Sequence, residues 1–194
     1  MAGSDSTATA LRVILYYIAA TPKVYTKLQA EIDEAIRSGT ISRPVIQDRE
    51  ARQLPYLQAC IKEGLRVHPP AAGLFTKVTP REGDTLDDGT FIPGGTRICA
   101  STWATQHNKA TFGDDAEVFR PERWLEVAGD DLQRMERTLE LVFGAGRYGC
   151  LGKSIAFIEM NKFFVEVMPN NQWLSKIHLL ILILISYSLA SISR

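Results

Sequence analysis

No helix runs through Pro69-Pro70, because a proline ring clashes with the carbonyl four residues back and pushes its predecessor out of the helical region. The chain is therefore cut into an upstream part that can be helical and a downstream part that must start again. Upstream, Leu11, Val13, Ile14, Leu15, Tyr16, Tyr17 and Ile18 make a strongly apolar helical stretch, which Thr21-Pro22 closes. The same pair opens a second helix, since Thr suits a cap and Pro the first helical position. Val24, Leu28 and Ile32 then recur at helical spacing down to a glycine stop at Gly39. Residues 41–53 read as polar linker. A third helix begins near Pro55, carries Leu57, Ile61 and Leu65 on one face, and stops before the proline pair.

Downstream the texture changes to short strands at 75–79, 90–92 and 97–104, with a turn at Asp87-Asp88-Gly89, which together predict a small sheet. Residues 105–130 keep no period and read as an ordered meander closed by Trp124. Short helices are expected over 132–141 and 154–168, separated by a loop with four glycines in the ten residues 143–152. The fold class this predicts is mainly α with a small β-sheet. From 177 to 192 the chain is almost wholly apolar, including the unbroken aliphatic run 179–185. That is shorter than the roughly 20 residues a spanning helix needs, so a membrane anchor and a buried tail both stand as readings.

The 22 basic residues balance the 22 acidic ones, and this zero net charge gives no global field to recruit nucleic acid. An apolar fraction of 45% excludes a disordered chain and a polytopic membrane protein. Cys60, Cys99 and Cys150 are too sparse for a disulfide framework, and the three histidines lack zinc spacing. A metal, if bound, must rest on a lone cysteine.

Taken singly, the polar candidates have ordinary explanations. Glu63 and Arg66, three apart on the third helix, read as a surface ion pair of little value. Arg123, in Phe119-Arg120-Pro121-Glu122-Arg123-Trp124, reads as a loop anchor, and Cys150 as a small buried hydrophobe. The setting of Cys150 is less ordinary. Gly144, Gly146, Gly149 and Gly152 let the backbone approach a flat ligand and turn amides toward the sulfur.

In this order, the motifs resemble those of the cytochrome P-450 family of haem-thiolate monooxygenases, in particular its fungal microsomal branch. Ala2-Gly3-Ser4-Asp5-Ser6-Thr7 is similar to the family's oxygen-activation motif, and Glu63-Gly64-Leu65-Arg66 to its Glu-x-x-Arg. Arg123 in Pro121-Glu122-Arg123-Trp124 corresponds to the third member of its structural triad. The segment from Phe143-Gly144-Ala145-Gly146 to Cys150-Leu151-Gly152 resembles its haem loop. Each match is weak alone, and four in order are specific. The resemblance spans residues 2–167, which makes 1–167 an incomplete, C-terminal, haem-binding portion of that fold and 168–194 an atypical aliphatic tail. Met1 falls inside what the family has as one continuous central helix, so it is expected to be an internal start. A changed reading frame or a retained intron would account for the tail.

The resemblance implies haem b with Cys150 as the iron's axial ligand. Phe143, Gly146, Arg147 and Gly152 would line the cofactor, and Lys77 would meet a propionate. Asp5, Ser6 and Thr7 would relay protons from a helix turn loosened at Gly3. Glu63, Arg66 and Arg123 would be scaffold, not catalysts, and Ala71 to Phe75 would border a pocket for an apolar substrate. The implied partner is an NADPH-dependent reductase, and the implied location of the parent enzyme is the cytoplasmic face of the endoplasmic reticulum membrane. Two departures stand out. Tyr148 occupies the place of the family's cation two residues before the cysteine, with Arg147 one earlier, and Ser6 replaces its usual threonine. Two functional readings remain open: part of an oxygenase that inserts one oxygen atom into an apolar substrate, or a non-catalytic remnant, partly folded or membrane-associated.

Overall fold

The computed structural model describes residues 2–73 and 75–169. The upstream part is helical, with α1 (Ala2–Ala20), α2 (Pro22–Arg37), a single-turn α3 (Asp48–Ala51) and α4 (Pro55–Val67). Prolines open α2 and α4 where their missing amides cost nothing. Gly39, at φ 69°, ends α2 in the left-handed conformation that favours glycine. Thr21 precedes α2 but makes no side-chain cap, contrary to expectation. α4 is capped from outside, because Leu54 at its start has no acceptor. Glu31 of α2 instead accepts the amides of Tyr56 at 2.8 Å and Leu57 at 2.9 Å.

The core forms where the apolar stripes of these helices meet. Ile14 and Ile18 of α1, Leu28 and Ile32 of α2, and Leu57, Ile61 and Leu65 of α4 are all buried. They pack with Met160 and Phe164 of α9 (Lys153–Val167), and each such side chain stabilises by about 1.5–3 kcal/mol. Helix α1 lies against both α4 and α9. The closest approach is at Gly64, where an added Cβ would come within 2.3 Å of Ile14 Cγ1. Gly64→Ala is therefore expected to destabilise the chain by about 1–3 kcal/mol, read from the urea midpoint. In a double-mutant cycle, Ile14→Ala should absorb the added methyl; strictly additive losses would show that this contact is not the cause.

The chain is mainly helical with small antiparallel sheets, as expected, and the local bounds differ at three places. The segment 41–53 is not a polar linker. Ile41, Ile46 and Ala51 are buried there, and α3 docks on α9 through Asn161, which donates to Asp48 at 2.7 Å and accepts from Gln58 at 3.0 Å. The small sheet is two separate antiparallel ladders, β1 (Lys77–Val78) with β4 (Arg97–Ile98) and β2 (Asp84–Thr85) with β3 (Phe91–Ile92). The strand expected over 97–104 stops at Ile98, because the Ser101 hydroxyl accepts the Ala104 amide and starts α5 (Thr102–Gln106).

The meander adds α6 (Lys109–Phe112) and α7 (Arg123–Glu126), and α8 (Gly129–Glu140) leads into the glycine-rich loop. No helix among the described residues is long and apolar enough to cross a membrane. The aliphatic run 179–185 lies outside the described residues.

Candidate functional site

Glu63 and Arg66 form no surface pair. One turn apart on α4, both are 0% exposed, because that face of the helix packs under the meander. Arg66 binds Glu63 through two nitrogens, Nε at 3.0 Å and Nη2 at 2.9 Å. Arg123, also buried, donates from Nε to the same carboxylate at 2.9 Å. The backbone amide of Arg120 at 2.9 Å and the Trp124 indole at 2.8 Å complete its surroundings. Glu63 thus accepts five hydrogen bonds, enough to hold a carboxylate away from water.

The remaining guanidinium N–H groups point at the meander backbone. Arg66 donates to the carbonyls of Gln106, Ala116 and Val118, and Arg123 to those of Phe112, Asp115 and Val118. No ladder pairs these carbonyls, and apart from that of Asp115, which also accepts the Val118 amide, the two arginines supply donors that the irregular backbone does not. Asp115 escaped the sequence reading, yet its side chain accepts Arg123 Nη1 at 2.9 Å and Arg120 Nε at 2.6 Å. Burial pushes the Asp115 carboxyl up, but the hydrogen bonds and charges of the two arginines outweigh it and hold it below the usual carboxylate range. Charge counting was the available signal, since two arginines facing one glutamate call for another anion.

Beyond α8, single 3-10 turns at Leu141–Phe143 and Gly146–Tyr148 fold the glycine-rich loop back on itself. The Cys150 amide donates to the Phe143 carbonyl at 2.7 Å and closes it. Gly144 has φ 74°, and a Cβ there would meet the Tyr148 carbonyl oxygen at 2.8 Å, so the bend requires glycine. Gly146 is likewise left-handed. Cys150 presents a free, exposed thiol immediately before α9. A side chain at Gly152 would begin 3.8 Å from its sulfur. The Phe143 ring packs 5.5 Å from that of Phe157 and anchors the loop to α9.

Next to this sulfur the surface is apolar and bare. Leu151, in the turn before α9, is 100% exposed, and Ile155 at 62% and Ile158 at 40% lie three apart on one side of the first half of α9. Lys77 of β1 lies with its Nζ 4.6 Å from the Tyr148 ring centroid, and the Arg147 guanidinium lies 5.1 Å from the same ring. The structure thus gathers both cation candidates at the ring of Tyr148, two residues before Cys150. One soft donor, flanking aliphatic surface and two cations fit an iron porphyrin with its two carboxylates.

Asp5, Ser6 and Thr7 lie on the first turns of α1, with Asp5 and Ser6 exposed and Thr7 buried. The helix is unbroken through them, so the loosened turn expected at Gly3 is absent; nothing crowds that glycine to bend it. Packing of α1 on α9 brings the helix carrying these residues beside the one that follows Cys150. Of 71–75, Ala71 is half-buried, Ala72, Gly73 and Phe75 are exposed, and Leu74 lies outside the described residues.

The family model of cytochrome P450 matches residues 1–176. Cytochrome P450 monooxygenase ABA1 of Pyricularia oryzae is 51% identical over 168 residues, 87% of this chain and 33% of that protein. The aba1 monooxygenase of Botryotinia fuckeliana is 47% identical over 168 residues, with the same two shares. Pisatin demethylase of Fusarium vanettenii is 41% identical over 169 residues, 87% of this chain and 31% of that protein. The chain spans about a third of the length of these relatives.

Proposed function

The chain belongs to the cytochrome P450 family, and on that premise we propose that it is the cysteine-bearing portion of a haem-dependent monooxygenase, which inserts one oxygen atom of dioxygen into an apolar organic substrate. The observation that carries this reading is the exposed Cys150 thiol at the mouth of a glycine-bent loop, bordered by bare aliphatic surface. When bound, haem iron supplies the dioxygen chemistry, with electrons from an NADPH-dependent reductase.

The chain's own residues hold and orient. Cys150 would hold the haem iron through its thiolate, and Gly146 and Gly152 would keep the backbone clear of the porphyrin. Phe143 fixes the loop on α9. Arg147 and Lys77, now at the Tyr148 ring, would meet the propionates. The Asp5 carboxyl and the Ser6 and Thr7 hydroxyls pass protons along α1, and residues 71–75 border an apolar substrate. Glu63, Arg66 and Arg123 act as scaffold. The location that goes with this reading is the cytoplasmic face of the endoplasmic reticulum membrane. The bare face at Leu151, Ile155 and Ile158 supports a second reading, a non-catalytic remnant that keeps the motifs without the activity.

Adding excess haem to the chain and reducing it under carbon monoxide tests the proposal. A thiolate-type Soret band that Cys150→Ala abolishes is the expected result. Identical spectra from both proteins would remove Cys150 as the ligand and the proposal with it.

A further inference from the structure

The buried network holds more positive than negative charge. Arg66 and Arg123 are both sealed from solvent, whereas among the described residues Glu63 is the one acid buried with them. A second cation in the same water-free space needs its own anion or costs several kcal/mol. We propose that Asp115 is that second counter-ion, a positioning residue that acts through Arg123 and, while ionised, latches the meander segment 106–118 against α4. This inference stands on the network's geometry and does not depend on haem.

Asp115 is placed for the role. One carboxylate oxygen takes Arg123 Nη1 and the other takes Arg120 Nε, while its own carbonyl accepts Arg123 Nη2. Arg120 in turn binds Glu126, which fixes the second arm of the clamp to the end of α7. Beyond these contacts, Glu63 lies across Arg123, Arg66 bonds the carbonyl of the adjoining Ala116, and Asp114 and Glu117 are exposed chain neighbours. The Asp115 side chain keeps 37% of its surface, whereas that of Glu63 keeps 0%. Protons therefore reach Asp115 with the fold intact, and the network is addressable from its rim.

The sign follows from the depressed acidity of Asp115. Its contribution is fully present above the ordinary carboxylate range and is lost as pH falls through the lower folded-state value. Hydrogen exchange of the full 194-residue chain, corrected for intrinsic rates, reads the latch directly. At pH 7, Asp115→Asn keeps the shape and removes the charge, so amides in 106–118 should exchange about tenfold faster or more. Those of α2 should be unchanged. The ratio should begin to shrink as pH drops below about 3.9, where Asp115 in the opened segment takes up a proton, and should disappear once pH passes the lower value of the closed state. Asp115→Glu should restore part of the protection. An equal acceleration at every pH, a rise spread equally into α2, or no change at all would each overturn the proposal.

Discussion

Arg66→Ala is expected to cost about 3–5 kcal/mol of folding free energy. The reason lies in what the guanidinium leaves behind. Glu63 keeps Arg123, the Arg120 amide and the Trp124 indole, so its charge remains paired. The carbonyls of Gln106, Ala116 and Val118 lose donors, and a fully buried side chain resting 4.9 Å from the Phe112 ring leaves a cavity. Arg66→Met should recover the packing and still leave the carbonyls of Gln106 and Ala116 without the arginine. Arg66→Lys should keep the charge and lose the two-pronged contact, so both variants should fall between wild type and alanine. Since domains of this size are stable by only about 5–15 kcal/mol, the alanine loss should move the urea midpoint far enough to measure with certainty. A shift worth under about 1 kcal/mol would put the network on the level of a surface ion pair and contradict its burial.

That surface pair was the plain reading of Glu63 and Arg66, and the contrast shows which parts of the molecule local sequence can specify. Helices marked by covalent geometry were legible. Pro22 and Gly39 bracket α2, and Pro55 and Pro69 confine α4, because ring closure and a missing Cβ act within one turn whatever the surroundings. Elements made by distant partners were not. The α3 turn is held by Asn161, more than a hundred residues along the chain, and the start of α4 is capped by a glutamate of α2. The β-branched texture after Arg97 suggested a longer strand, but one serine hydroxyl reaching the Ala104 amide outweighed it.

The site divides along the same line. The glycine-bent loop and Cys150 lie within a single short segment, so residue types alone announced them. The buried network draws on α4, α5, α6, α7 and the loop between the last two. Its three named members came through resemblance, and Asp115, whose part depends on counting charges in a space the sequence does not display, came through neither.

Haem bound by this 194-residue chain is expected not to survive removal of free haem by gel filtration, even where an excess produces a thiolate-type spectrum. A porphyrin is a broad apolar plate with two carboxylates, and it is retained when both faces are covered and the carboxylates meet cations. Here the loop around Cys150 covers one region, while Leu151, Ile155 and Ile158 beside it stand in solvent, as do Phe75 and Val78 near the first ladder. Lys77 and Arg147 already share one aromatic ring, and each must leave it to reach a carboxylate. Apolar surface of this extent also drives self-association, which competes with haem for the same face. Replacing Leu151, Ile155 and Ile158 together by glutamine should therefore do two things at once. Light scattering of the haem-free chain should fall, and the haem concentration for half-maximal spectral change should rise. A one-to-one complex that elutes intact, keeps its thiolate band and loses it in Cys150→Ala would show instead that these residues make a self-sufficient haem domain.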